Sequence, residues 1–195
     1  MKQTAARQAT PADETVALAL QVVAASYRSP DATLRDDLDS GAYAAALAAL
    51  AEATGHRAPT LAGLDWPRIQ AAYVALFVSN AGGIPAPPYV GLALDGELLG
   101  PSAEALKRFL AHHGVEATAA WHDLPDHLAA VAEAGTLLAA SGRDDVACVL
   151  LERFLSPWFQ RYAPEVVAAD VSGFYGPVTE FLGSILSEVS CEAAA

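Results

Sequence analysis

Positive charge is what this chain has least of. Against 23 Asp and Glu it sets only 11 Lys and Arg, for a formal net charge of −12. Nucleic-acid binders carry basic stripes, so that class of partner is excluded, and an anionic membrane surface is a poor match too. A basic peptide is the compatible partner. Lysine occurs only at Lys2 and Lys107, and no Gly-x-x-x-x-Gly-Lys-Ser/Thr run exists to cradle a phosphate. There is no Ser elbow and no activated Cys for a nucleophilic triad. Cysteine is equally scarce. Cys148, in an apolar helical run, reads as a small core residue, and Cys191 lies near the end. No disulfide framework is implied, which suits a reducing cytoplasm. No run of about eighteen apolar residues is present, so no membrane span is expected. Lys2 and Arg7 before Val16–Leu20 resemble an export signal, but Asp13, Glu14 and Gln21 interrupt it and fit an amphipathic helix better. Strand-length alternation is nearly absent, and nothing repeats at a fixed period.

What remains is helical pattern with clear punctuation. Thr10-Pro11-Ala12-Asp13 is a helix start, with a capping hydroxyl, a proline in the first turn and an acid three residues on. Asp31, Asp65 and Gly100-Pro101 open later helices, and Gly41, Gly55, Gly114 and Gly142 close them. Successive prolines force Ile84–Tyr89 to be extended. Val90–Gly100 has room for a scrap of strand at most. Trp158 begins a turn or short helix, Pro164–Asp170 adds one more turn, and Tyr175–Val189 is the last long helix. The expectation is one all-α domain over residues 10–190, with roughly nine to eleven helices packed by their apolar stripes. Residues 1–9 and 191–195 read as tails, and the Gly/Pro-rich stretch 79–100 as the one hinge. A monomer is expected, with exchange of helices about that hinge as the alternative.

The chain is organised around Trp121–Leu138. Pro125 suits a first helical turn, with Asp123 or Leu124 as the boundary and Asp126 at the positive end of the helix dipole. Leu128, Val131, Gly135 and Leu138 form one apolar stripe, while Asp126 and Glu133, seven apart, share another. His127 stands beside Asp126 at the helix mouth.

Several segments then line up in order: Tyr73-Val-Ala-Leu76-Phe77, Gly83-Ile-Pro-Ala-Pro87-Pro88-Tyr89, Gly96-x-Leu98-x-Gly100, Leu124-Pro125-Asp126-His127-Leu128-Ala129 and Phe154-Leu155-Ser156-Pro157-Trp158. Over about residues 70–160 they resemble the TorD/DmsD/NarJ family of redox-enzyme maturation chaperones. The chain departs from the family pattern at Pro85-Ala86, at Val90–Ala93 after the tyrosine, at Val131, where a first helix acid is usual, and at Phe154. The resemblance implies an all-helical cytoplasmic chaperone that performs no reaction and holds no cofactor. Its partner would be the precursor of a molybdenum oxidoreductase catalytic subunit, usually with a twin-arginine signal peptide. It would delay export until molybdopterin guanine dinucleotide is inserted, and would be absent from the finished enzyme.

Such a signal is basic with an apolar helical centre, and it needs an apolar groove with an acidic rim. Asp126, His127 and Glu133 are the expected rim, with charge-assisted hydrogen bonds to arginine. Pro125, Pro88 and Tyr89 would wall the groove, and Tyr73, Leu76 and Phe77 would line it if their helix lies beside the Pro125 helix. Each has a plainer reading, as cap, stiff loop or core. Two other functions stay open. His122, Asp123, Asp126 and His127 could be the ligand set of a metal-dependent hydrolase, although no His-x-x-x-His pair is present. The chain could also be a structural helical subunit of a complex.

Overall fold

Local chemistry places most of the helix ends. In a computed structural model, which describes residues 10–116, 118 and 121–188, α1 (Pro11–Tyr27) is opened by a reciprocal cap. The Thr10 N–H donates to Asp13 Oδ2 at 2.8 Å, and the Asp13 N–H donates to Thr10 Oγ1 at 3.3 Å. Asp31 caps α2 (Ala32–Ser40) by accepting from Leu34 N–H at 3.0 Å. Gly41, at φ +81°, ends α2 and starts α3 (Ala42–Thr54), a left-handed turn that a side chain would strain. Asp65 caps α4 (Trp66–Tyr73), which continues as a π segment, Val74–Val78. Next come α5 (Val90–Asp95) and α6 (Pro101–His112). Asp95 fixes the start of α6, accepting from the Ser102 N–H at 2.7 Å and its hydroxyl at 2.8 Å. The chain then forms α7 (Leu128–Ala140), α8 (Asp144–Leu150), a second π segment (Leu151–Leu155), α9 (Ser156–Ala169) and α10 (Tyr175–Leu186).

The all-α expectation holds: the described residues form ten α-helical segments and two π segments, with no strand. None of these helices is long and apolar enough to cross a membrane. Four local expectations are corrected. Val90–Asp95 is a short helix rather than a scrap of strand. The two short pieces expected after Ser156 are one helix, α9, which runs through Pro164. α7 starts at Leu128, three residues beyond Pro125, so Asp126 lies outside it and shares no helical stripe with Glu133. Cys148 is buried as expected, but it is disulfide-bonded. Residues 1–9 and 191–195, Cys191 and Val189 lie outside the described residues.

α7 is the central strut, packed chiefly on α1 and α8. Gly135 permits the close approach. A β-carbon there would stand 2.7 Å from a Leu20 methyl and 3.0 Å from one of Leu150. α9 lies on α10, and α1 reaches α3, α8 and α10. A chain of rings fills the centre: Tyr27 stands 5.6 Å from Phe77 and 6.1 Å from Phe159, and Phe77 stands 5.2 Å from Tyr175. Across it, the Tyr27 and Thr179 hydroxyls share a buried hydrogen bond of 2.6 Å that ties α1 to α10. Tyr27→Phe removes one partner and strands the other. A loss of about 1–3 kcal/mol is expected in urea unfolding, and a neutral result would show that this bond contributes nothing net.

Candidate functional site

Residues 86–91 form a strap across the start of α7. Leu128 N–H donates to Pro88 O at 2.8 Å and Val90 N–H to Asp126 O at 3.0 Å, around an antiparallel bridge between Tyr89 and His127. Gly91 N–H donates to Asp126 Oδ2 at 3.0 Å. The other carboxylate oxygen, Oδ1, is buried with no hydrogen-bond partner. Asp126 is 1% exposed and His127 2%. His127 is the N-cap of α7, its Nδ1 accepting from Ala129 N–H at 3.1 Å. Its ring lies 5.5 Å from Tyr89, edge-on, and 5.6 Å from Trp121. Burial lowers the imidazole pKa to about 4, against the opposing pull of the Asp123 carboxylate. The Tyr89 hydroxyl donates to Asp123 Oδ1 at 3.0 Å. Burial and that carboxylate raise the pKa of the Tyr89 phenol well above its ordinary value, and the same two causes push that of Tyr73 up to about 12.

Above this strap lies a groove of about 310 Å³. Its floor is the outer face of α7, with Ala130, Ala134 and Leu137; Leu110, Val115, Trp121 and Pro125 wall it; Arg28, Glu116 and Glu133 stand at its charged positions. Leu137 is 63% exposed, although α7 is otherwise largely buried. Trp121 joins the two layers: it lines the groove, its ring also meets that of His127, and its Nε1 donates to Leu124 O at 3.1 Å.

The residues singled out from the sequence therefore separate. Pro125 and Glu133 line the groove. Asp126, His127 and Pro88 are buried beneath it, so they form no rim, and Tyr89 stands half-buried beside Asp123. Tyr73, Leu76 and Phe77 are buried in the core and are not part of the groove lining. Among the described residues no three His, Cys, Asp or Glu side chains converge as metal ligands. The His122, Asp123, Asp126 and His127 set thus lacks the geometry of a hydrolase centre. Sequence reasoning missed Trp121, Leu110, Val115, Leu137 and Arg28. Only Trp121 left a signal, as an aromatic just ahead of the Pro125 turn.

A family model described as nitrate reductase delta subunit matches residues 36–166. No curated protein sequence matches the chain. Among solved structures, one from Archaeoglobus fulgidus, described as a candidate redox enzyme maturation protein, superposes with a TM-score of 0.61 at 19% identity. The match covers 96% of this chain and 100% of that one, and at that identity it speaks to the fold.

Proposed function

The chain belongs to the nitrate reductase delta subunit family, the NarJ/TorD type of redox-enzyme maturation chaperone and not a catalyst, and from that premise we propose that it binds the precursor of a molybdenum oxidoreductase catalytic subunit in the cytoplasm. The groove over α7 receives the apolar helical part of the precursor's twin-arginine signal, with arginines directed at Glu133 and Glu116. The observation that carries this reading is an apolar floor with exposed Leu137, bounded by two carboxylates, on a molecule of net charge −12. An amphipathic segment lying in a groove is held by the apolar side chains it buries, and charge at the rim sets its direction and encounter rate. Asp126 and His127 serve by position: they lock the strap to α7 and hold Trp121 as the groove's end wall. The precursor is retained until molybdopterin guanine dinucleotide has been inserted, and then released.

A synthetic peptide with two consecutive arginines and a leucine-rich helical segment is the probe. Burying one leucine-sized side chain is worth about 1.5–3 kcal/mol, so Leu137→Asp is expected to weaken binding about tenfold or more in titration calorimetry. Glu133→Lys is expected to weaken it similarly, with the far-UV helical signal of both variants unchanged. Wild-type affinity in both variants would remove the groove from the account. Capture of the precursor from the native cell then identifies the client.

A further inference from the structure

The groove's acidic position is already occupied by a guanidinium of the chain's own. Arg28, at the C-terminal cap of α1, places Nη1 3.4 Å from Glu133 Oε1 and Nη2 3.2 Å from Asp31 Oδ2. Asp31 is fixed in place, because its other oxygen caps α2 through the Leu34 N–H at 3.0 Å. Arg28 and Glu133 both line the groove, and their side chains are 41% and 38% exposed. A pair this open to water is worth little and exchanges readily, whereas a forked guanidinium matches a carboxylate better than an ammonium does.

We propose that Arg28 is a built-in competitor for the client. It occupies Glu133 in the empty groove and yields that carboxylate to an incoming arginine, while Asp31 retains it at the rim. Binding by an arginine-bearing segment is then an exchange of one guanidinium for another that leaves Glu133 paired. A lysine fills the place less well, and an apolar helix without a cation leaves the resting pair untouched. Arg28 thus lowers the groove's affinity for cation-bearing segments by the worth of the resting pair, and leaves its affinity for uncharged apolar helices unchanged. This inference rests on the groove reading above.

The test is titration calorimetry of the full chain with the same diarginine peptide and its dilysine analogue. Removing a competitor worth no more than an exposed ion pair should raise affinity for the diarginine peptide two- to fivefold in Arg28→Ala. Arg28→Gln, which keeps the apolar stem over the groove, should behave alike. The gain should vanish in a Glu133→Gln background. Arg35→Ala makes the same change in net charge at an ion pair on α2, Arg35 with Asp39 at 3.7 Å, and should give no gain. Unchanged or weaker binding in both Arg28 variants, or an equal gain without Glu133, would overturn the competitor role. The two readings fail differently: if Leu137→Asp still weakens the peptide, loss of the Arg28 effect leaves the groove standing. If Leu137→Asp binds like wild type, the groove itself is wrong.

Discussion

Trp158→Ala is expected to destabilise the chain by about 3–5 kcal/mol, the range for emptying a large aromatic site in a core. Trp158 is 1% exposed and stands at the junction of the second π segment and α9. Its Nε1 donates to Phe154 O at 2.7 Å, across that junction. Its ring meets Tyr162 edge-on at 5.1 Å, and the Tyr162 hydroxyl donates to Ala86 O at 3.1 Å. One ring therefore stabilises the π turn and the residue that tethers the proline-rich strap. The loss should exceed that of Trp158→Phe, which keeps most of the ring and gives up only the N–H donor. Denaturant unfolding followed by circular dichroism measures both. A loss under about 1 kcal/mol in the alanine variant would mean that the site collapses around the gap and that the strap is held without it.

The helix ends legible in the sequence are those fixed within four residues: Thr10 with Asp13, Asp31 with Leu34, Asp65 with Arg68, Gly41 and Gly55. The start of α7 is hidden for the opposite reason. Pro125 does favour a first helical turn. Here, however, Leu128 N–H is taken by Pro88 and the Asp126 carbonyl by Val90, and His127 is held extended at φ −62°, ψ 135°. A partner some forty residues away leaves no periodic trace. The face of α7 was equally hidden. The helix is apolar nearly all round, so nothing in its spacing tells exposed Leu137 from buried Leu138. Glu133 could be found because it is the lone acid on that helix. Arg28 could not, because its bond to Glu133 exists only once α1 has packed on α7. The family resemblance rests on motif order, which does not depend on where α7 begins; that two of those motifs, Pro88-Tyr89 and Asp126-His127-Leu128, pair in space is visible only in the structure.

Acid is expected to weaken the fold through His127 well before general carboxylate protonation does. The folded imidazole pKa, lowered to about 4 by burial, lies below the ordinary 6.5. The neutral ring is therefore the folded form, and the unfolded chain binds the proton first. Stability from this group is complete above about pH 6.5 and is lost as pH falls from there toward 4, by about 3 kcal/mol for a displacement of this size. The geometry gives the reason. Nδ1 accepts the Ala129 N–H at 3.1 Å, so the neutral ring carries its proton on Nε2, and a second proton must go to the nitrogen that caps α7. Protonation would thus break the cap and leave a cation between Tyr89 and Trp121, with Asp123 its compensating charge. Asparagine caps helices without titrating. His127→Asn should therefore flatten the dependence of unfolding free energy on pH between 6.5 and 4 while leaving α7 formed. Trp121 fluorescence in the same series reports whether the end wall of the groove loosens with the cap. An undiminished pH slope in His127→Asn would place the acid-sensitive group elsewhere, and with it the claim that this buried ring, and not an exposed rim, is how the Pro-Asp-His segment serves the groove.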